Sequence, residues 1–436
     1  MRRFFTTIKN IFSIEDLRIR IINTIGFLII FRLGSYIVLP GIEPSLLSGN
    51  TGGIFDLMNT LLGGSFSRAS IFALGIMPYI SASIVVQLLT VAVPSFTKMQ
   101  KEGDSGRKKL NQFTRVLTIF ICLAQSYGYL RTTINDDAIL QPGIFFTISS
   151  MILLVSGTMF CMWLGERITD KGIGNGISML IMIGIVSRFP AAIWQEMDSK
   201  GMPGALIFII EILILFFVVV GVIALTQAVR RIPVQYAKQV VGNKLYGGKR
   251  DFIPLKLNSS GVMPIIFAQA LMFIPPMVAS IFSDSDFGAG IGSAFADFTS
   301  WQYNVLFATL ILMFTFFYTA ITVPSNDIAD NLKRNGGFIP GIKPGKQTGE
   351  YIDTILSRIT LPGALFLAAV AIMPAFAVKA GVTQNFAQFY GGTSLLILVG
   401  VVLDTLQQIE SYLLMRHYEG MMKSGRVKGR SQLATA

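Results

Sequence analysis

Between Ala69 and Val93 no side chain is charged, and the run exceeds the roughly 20 apolar residues needed to cross a bilayer core. It is nevertheless a poor lipid-facing helix. Gly75 and Pro78 interrupt it, and Ser81, Ser83, Gln87 and Thr90 follow. Polar groups and helix breakers at membrane depth are tolerated where protein or a water-filled cavity surrounds them. The stretch therefore reads as a helix that lines something. Ile76 and Ile80 are four apart, one turn from each other on one helical face, and are expected to belong to an apolar constriction.

The rest of the chain fits this setting. Of 436 residues 52% are apolar and 14% charged, too greasy for a soluble enzyme of this length. The first apolar run is a full span, and no short apolar segment ends at a small-residue cleavage site, so no cleavable signal peptide is expected. Cys122 and Cys161 both lie in apolar runs and read as packing residues. The single histidine, His417, argues against a histidine-based metal or catalytic site.

Residues 1–18 form a basic amphipathic segment, with Ser13 and Asp16 in a pattern that caps a helix start. Span 1 is expected over Ile19–Leu39, with Arg32 facing protein or snorkelling. An external segment follows. Within it Ile54, Leu57, Met58 and Leu61 repeat at helical spacing between the pairs Gly52-Gly53 and Gly63-Gly64. That helix is too short to span, and either an interfacial packing helix or a movable stopper would look like this. Further spans are expected over Ile71–Val93, Val116–Tyr129 with its flanks, Phe145–Leu164, Ile177–Phe189, Ala205–Ala228, Gly261–Phe282, Tyr303–Val323, Ile359–Val378 and Ser394–Leu414. Lys98–Arg115 reads as a basic loop and Phe189–Gly204 as a short external loop. Large basic loops cover residues 229–258 and 324–354, and 415–436 form a polar tail. The expected fold is an all-α polytopic membrane protein. Its ten transmembrane helices form two inverted five-helix halves, 19–190 and 191–414, around a central pore.

Charge placement fixes the expected orientation. Lys and Arg number 29 on the side that holds both termini and five on the other, with Arg32 and Arg358 in or beside spans. The positive-inside rule then puts both termini in the cytoplasm. The net charge of +12 is explained by topology rather than nucleic-acid binding. The basic loops still offer a docking surface for an anionic partner or anionic lipids.

Catalytic signals are lacking. The stretch Gly341–Thr348 has a passing likeness to a phosphate loop, but Pro340 and Gln347 stand where Gly and Ser or Thr are needed, and no strand precedes it. Asp170–Ser178 has glycines at alternate positions and reads as a tight turn. Asp404 is the main ionisable residue deep in a span, and alone it reads as a structural, hydrogen-bonded group rather than a coupling site. Glu211 is expected near headgroup depth. No paired carboxylates or nucleophile–base arrangement falls in the spans, so no enzyme, no cofactor, no metal and no direct nucleotide binding is expected. Ile177 and Ile181 repeat the four-residue spacing, Ile266 follows Pro264, and Ile397 opens the last span. Isoleucine at such spacing is usually core or lipid-facing. Gly, Pro, Ser and Gln on the same helices favour a pore.

Five separated stretches resemble one family. They are Phe31–Ile42 (FRxGSYIxxPGI), Ser67–Ile84 (SRASIFALGIMPYISASI), Thr158–Ser178 (TMFxMWLGExITxxGIGNGIS), Ala329–Thr348 (ADNLKxxGxFxPGIxPGxxT) and Tyr390–Ile397, where Tyr replaces Phe of FGGTSLLI. Together they resemble the bacterial SecY family, the channel subunits of the protein-translocation complex. The resemblance implies a pore ring of Ile76, Ile80, Ile177, Ile181, Ile266 and Ile397. It implies a plug comprising Ile54, Phe55, Leu57, Met58, Leu61 and Leu62, and a lateral gate with Gln87 and Asn258. Arg230, Arg231, Lys244, Lys249, Arg250, Lys333, Arg334 and Lys343 would dock a motor or ribosome. Lys343 stands where many relatives carry Arg, whose planar bidentate contacts Lys cannot make. Implied partners are SecE, SecG, the SecA motor, the ribosome, secretory and membrane-protein precursors, and anionic lipids. The implied location is the bacterial inner membrane. A secondary transporter for a small solute is the rival reading, and it requires charged groups near the midplane.

Overall fold

The computed structural model describes residues 14–47, 59, 62–134, 136–236, 239–241, 244–246, 250–272 and 297–423. These are predominantly helical and fall into two compact units, one of residues 1–188 with 400–436, the other of residues 189–399.

In the first unit α1 spans Glu15–Gly34. Its N-cap is Ile14, with no side-chain cap, and Ser13 of the expected capping pattern lies outside the described residues. Glu15 and Asp16 in the first turn and Arg32 in the last still complement the helix dipole.

The uncharged run does not form one helix. Residues 62–76 are turns, and α2 covers only Met77–Ala92. Gly75 takes a left-handed φ of +50° and Pro78 falls in the first turn, where its missing N–H costs nothing. Both residues therefore start the helix instead of interrupting its middle. The irregular backbone before it is satisfied internally. Leu39 N–H donates to Ala69 O at 2.8 Å, Ile71 N–H to Ile37 O at 2.9 Å, and the Tyr129 hydroxyl to Phe66 O at 2.6 Å. Non-helical backbone survives at this depth on that condition.

Pro94 ends α2 by forcing Val93 into extended backbone, and α3 (Pro94–Lys101) turns away by 99°. After Gly103, α4 runs Asp104–Thr132. The expected basic loop Lys98–Arg115 is thus helical, its charges spread over α3 and the first turns of α4. Next come α5 (Ile144–Lys171) and α6 (Gly176–Lys200). The latter continues through Pro190 past the expected stop at Phe189, so most of the expected loop is helix. Cys122 and Cys161 are free and buried in packing positions.

In the second unit α7 (Ala205–Gln227) leads into a sheet. Strands β1 (Val229–Tyr236), β4 (Arg250–Lys256) and β5 (Gly337–Phe338) form an antiparallel sheet in the order β4-β1-β5, and β2 (Gln239–Val241) pairs with β3 (Lys244–Tyr246). The large basic loops therefore fold together. Ile232 faces Ile253 across β1 and β4, and Ile232, Val234, Leu255, Leu332, Ile339 and Ile352 bury a small core beneath the sheet. The remaining elements are α8 (Met263–Leu271), α9 (Trp301–Thr322), α10 (Ser325–Arg334), α11 (Lys346–Lys379), α12 (Gln384–Ala387) and α13 (Gly392–Lys423), whose residues from 400 onward belong to the first unit.

Among the described residues six helices are long and apolar enough to cross a membrane, or seven if the bent α2–α3 pair counts as one. The chain is a mostly helical polytopic membrane protein.

Candidate functional site

Each of the six singled-out isoleucines lies in the opening turns of a helix. Ile76 is the N-cap of α2, and its carbonyl accepts the Ile80 N–H at 3.1 Å. Ile177 and Ile181 stand in the first turns of α6, Ile266 in the first turn of α8, and Ile397 in the second turn of α13. A left-handed glycine precedes or opens every one of these helices: Gly75, Gly174, Gly261 and Gly392. Such a residue lets the chain reverse sharply into the helix, which a Cβ would oppose. Ile76, Ile80, Ile181 and Ile397 are buried, and Ile177 and Ile266 half-buried. The structure places Ile76, Ile80, Ile177 and Ile181 in the first unit and Ile266 and Ile397 in the second.

The turn before α6 is held from several sides. Ile173 N–H donates to Thr24 Oγ1 at 3.0 Å, Gly174 N–H to Gln408 Oε1 at 2.8 Å, and Arg20 Nη1 to Gly172 O at 3.1 Å. Side chains from α1 and α13 thus fix where Ile177 begins its helix.

Of the expected plug, Leu62 is described, while Ile54, Phe55, Leu57, Met58 and Leu61 lie outside the described residues. Leu62 is buried against Gly75, where an added Cβ would strike its Cδ2. The glycine that leads into α2 thus also seats Leu62. Asn59 is buried nearby, its Oδ1 accepting from the Ser67 N–H at 3.2 Å and hydroxyl at 3.0 Å.

Gln87 is half-buried on α2, with Oε1 lacking a partner among the described residues. Asn258 is buried after β4 and accepts from the Ser260 hydroxyl at 3.2 Å. The two belong to different units.

Arg230 and Arg231 are exposed on β1, and Lys333 and Arg334 are exposed at the end of α10. Lys343 is exposed on the turn that follows β5, its carbonyl accepting from Thr348 Oγ1 at 3.0 Å. The sheet and its core bring these cations onto one folded module. Lys244 and Arg250 lie on β3 and β4, and Lys249 lies outside the described residues.

One cluster escaped the sequence reading. Glu196 is 0% exposed on α6 and accepts the Thr383 N–H at 2.9 Å as well as its hydroxyl. Lys200 pairs with Glu196 at 2.9 Å and also with Glu211 of α7. Glu196 and Lys200 are four apart, the signature of a helical ion pair, but the expected loop at Phe189–Gly204 hid it. Glu211, expected near headgroup depth, is buried and paired with Lys200. Asp404, expected to be a hydrogen-bonded interior residue, is exposed.

Comparison with known proteins places the chain as a whole. A family model described as SecY matches residues 70–406. The protein translocase subunit SecY of Streptomyces scabiei is 41% identical over 438 residues, covering 96% of this chain and 100% of that protein. That of Aquifex aeolicus is 42% identical over 429 residues, covering 95% and 99%. A solved protein-conducting channel superposes with a TM-score of 0.65 at 18% identity, covering 90% of this chain and 92% of the other. Sec61 from a canine ribosome–channel complex superposes with a TM-score of 0.60 at 16% identity, with the same coverage. On the family match and the near full-length identity to translocase subunits, this chain belongs to the SecY family.

Proposed function

We propose that this chain is the channel-forming subunit of a protein translocase, passing unfolded secretory polypeptides across the membrane and releasing hydrophobic segments sideways into lipid. The observation that carries this is the set of six isoleucines, each opening a helix entered through a left-handed glycine, in a chain with near full-length translocase relatives. In this reading Ile76, Ile80, Ile177, Ile181, Ile266 and Ile397 form the waist. Branched apolar side chains around a narrow passage resist wetting and so block ions. They also make no directional bonds, so any passing sequence is tolerated. The segment ending at Leu62 is the plug. Gln87 and Asn258 belong to a lateral gate, where a segment leaves according to its water-to-lipid transfer free energy.

Ten spans in two inverted halves, with both termini in the cytoplasm of a bacterial cell, are part of the same proposal. The energy for transport would come from partners: a SecA motor or a ribosome docking on the cationic module that carries Arg230, Arg231, Lys333, Arg334 and Lys343. SecE, SecG and anionic lipids would complete the assembly. The solute-transporter reading has no support from the relatives, which are translocase subunits.

The test places a photo-crosslinking residue at Ile80, stalls a secretory precursor in transit and irradiates. An adduct that requires both the precursor and an energised partner is expected. Adducts confined to lipid-facing controls such as Ile29 would remove Ile80 from the path.

A further inference from the structure

A second cationic cluster gathers in the first unit, around the Gly63–Gly64 turn. Arg32, near the end of α1, donates from Nη1 to Gly63 O at 3.3 Å and from Nη2 to the Tyr36 hydroxyl at 3.4 Å. Arg68 stacks on the same ring, with Cζ 4.4 Å from its centroid, and Arg32 Cζ lies 5.4 Å from it. Arg188 of α6 completes the group. A Cβ on Gly64 would lie 3.3 Å from Nη2 of both Arg188 and Arg68. Three guanidinium groups thus converge on one glycine turn.

Among the described residues neither Arg32 nor Arg68 has a carboxylate partner, and Arg68 Nη1 is buried with no acceptor among them. Partly buried cations left this way are costly unless an anion reaches them. The flank is built for lipid. Leu33, Tyr36 and Ile37 are 64%, 58% and 55% exposed, an apolar edge with an amphipathic ring of the kind that sits at headgroup level.

We propose that Arg32 and Arg68, flanked by Arg188, bind the phosphate of an anionic phospholipid at the Gly63–Gly64 turn. Guanidinium forks match phosphate oxygens bidentately. Arg32 already holds the Gly63 carbonyl, so the bound phosphate would tie α1 to the end of the plug segment. That last consequence rests on the channel reading, whereas the site itself does not.

The full chain in its membrane complex is reconstituted with phosphatidylglycerol and phosphatidylcholine, without precursor, and retained lipid is measured by native mass spectrometry. Arg32→Gln/Arg68→Gln is expected to weaken retention of one phosphatidylglycerol by about tenfold or more, with Arg32→Lys/Arg68→Lys in between. A second readout is independent of lipid counting. The Tyr36 ring carbon signal, assigned by its loss in Tyr36→Phe, should shift when phosphatidylglycerol draws the two guanidinium groups stacked on the ring toward its phosphate, and only with both arginines present. Equal retention in wild type and double glutamine variant, with unchanged thermal melting, overturns the site. So does a Tyr36 ring signal indifferent to phosphatidylglycerol. If inorganic phosphate in an uncharged detergent moves Tyr36 as effectively as the lipid, the lipid assignment falls. Precursor transport enters none of these readouts, so a failed channel reading would not mimic a failed site.

Discussion

At the scale of single residues, the second unit concentrates its risk around Glu196, Lys200, Glu211 and Tyr390. One ammonium serves two buried carboxylates. Removing one partner of a buried ion pair costs about 3–5 kcal/mol, because an uncompensated charge remains. Lys200→Met should therefore lower thermal stability sharply, while Lys200→Met/Glu211→Gln should recover part of the loss in the same melting assay. Tyr390 behaves oppositely. Its hydroxyl is buried without a partner among the described residues, and burial, followed by the charges of Glu211 and Glu196, raises its pKa. A phenol whose folded pKa exceeds its unfolded value of about 10 stabilises the fold fully below that pH and loses this contribution above it. Tyr390→Phe should thus gain about 1 kcal/mol near neutrality by deleting an unsatisfied group. It should also flatten the fall in melting temperature that the wild type undergoes at alkaline pH. The fragment at 390–397 was legible in the sequence. The anchoring of Thr383 on Glu196 was not, because the expected span ended at Phe189 whereas α6 continues through Pro190 to Lys200.

At the scale of elements, the uncharged run from Ala69 to Val93 is instructive in both directions. Residues 69–76 of it are mostly buried, Val85 and Val91 on α2 are exposed, and the four-residue spacing of Ile76 and Ile80 survives as a helical hydrogen bond. Its length misleads. Hydrophobicity reports depth, not conformation, and the turns at 62–76 are stabilised by partners distant in sequence, such as Tyr129. The loops at 229–258 and 324–354 hide their sheet for a related reason, since β1 pairs with β5 across about a hundred intervening residues. By contrast, glycine before each isoleucine-bearing helix is a local signal that a reading by helical spacing passes over. Gly75 is the most demanding of the four, because a side chain there must adopt φ of +50° and displace Leu62. Backbone strain of this kind costs about 1–3 kcal/mol. On the channel reading, Gly75→Val unseats the plug. The idle ion conductance of reconstituted vesicles should rise several-fold over wild type, and unchanged conductance would detach Gly75 from the seal.

At the scale of the whole molecule, the strongest sequence signal is the 29-to-5 division of Lys and Arg. It concerns orientation, which helices alone do not fix. The expected topology puts Ser105, at the start of α4, and Lys343 on one face, and Gln141, before α5, on the other. All three are exposed. Both native cysteines are fully buried, Cys122 beside Thr158 at 3.4 Å and Cys161 in the middle of α5, so they make a silent background for thiol labelling. A membrane-impermeant maleimide applied to oriented vesicles should label Ser105→Cys and Lys343→Cys from the face that a motor would approach. Gln141→Cys should react only from the opposite face. Residues 105 and 141 are separated by a single expected span, whereas 105 and 343 are separated by six. The first comparison therefore tests whether α4 crosses at all, given that its charged opening turns keep it out of the set of clearly apolar helices. The second tests whether the number of crossings between the halves is even. Labelling of all three sites from one face would mean that α4 lies along the membrane instead of through it. Labelling of Ser105→Cys and Lys343→Cys from opposite faces would break the ten-span count, and with it the inverted relation of the halves on which a shared pore depends.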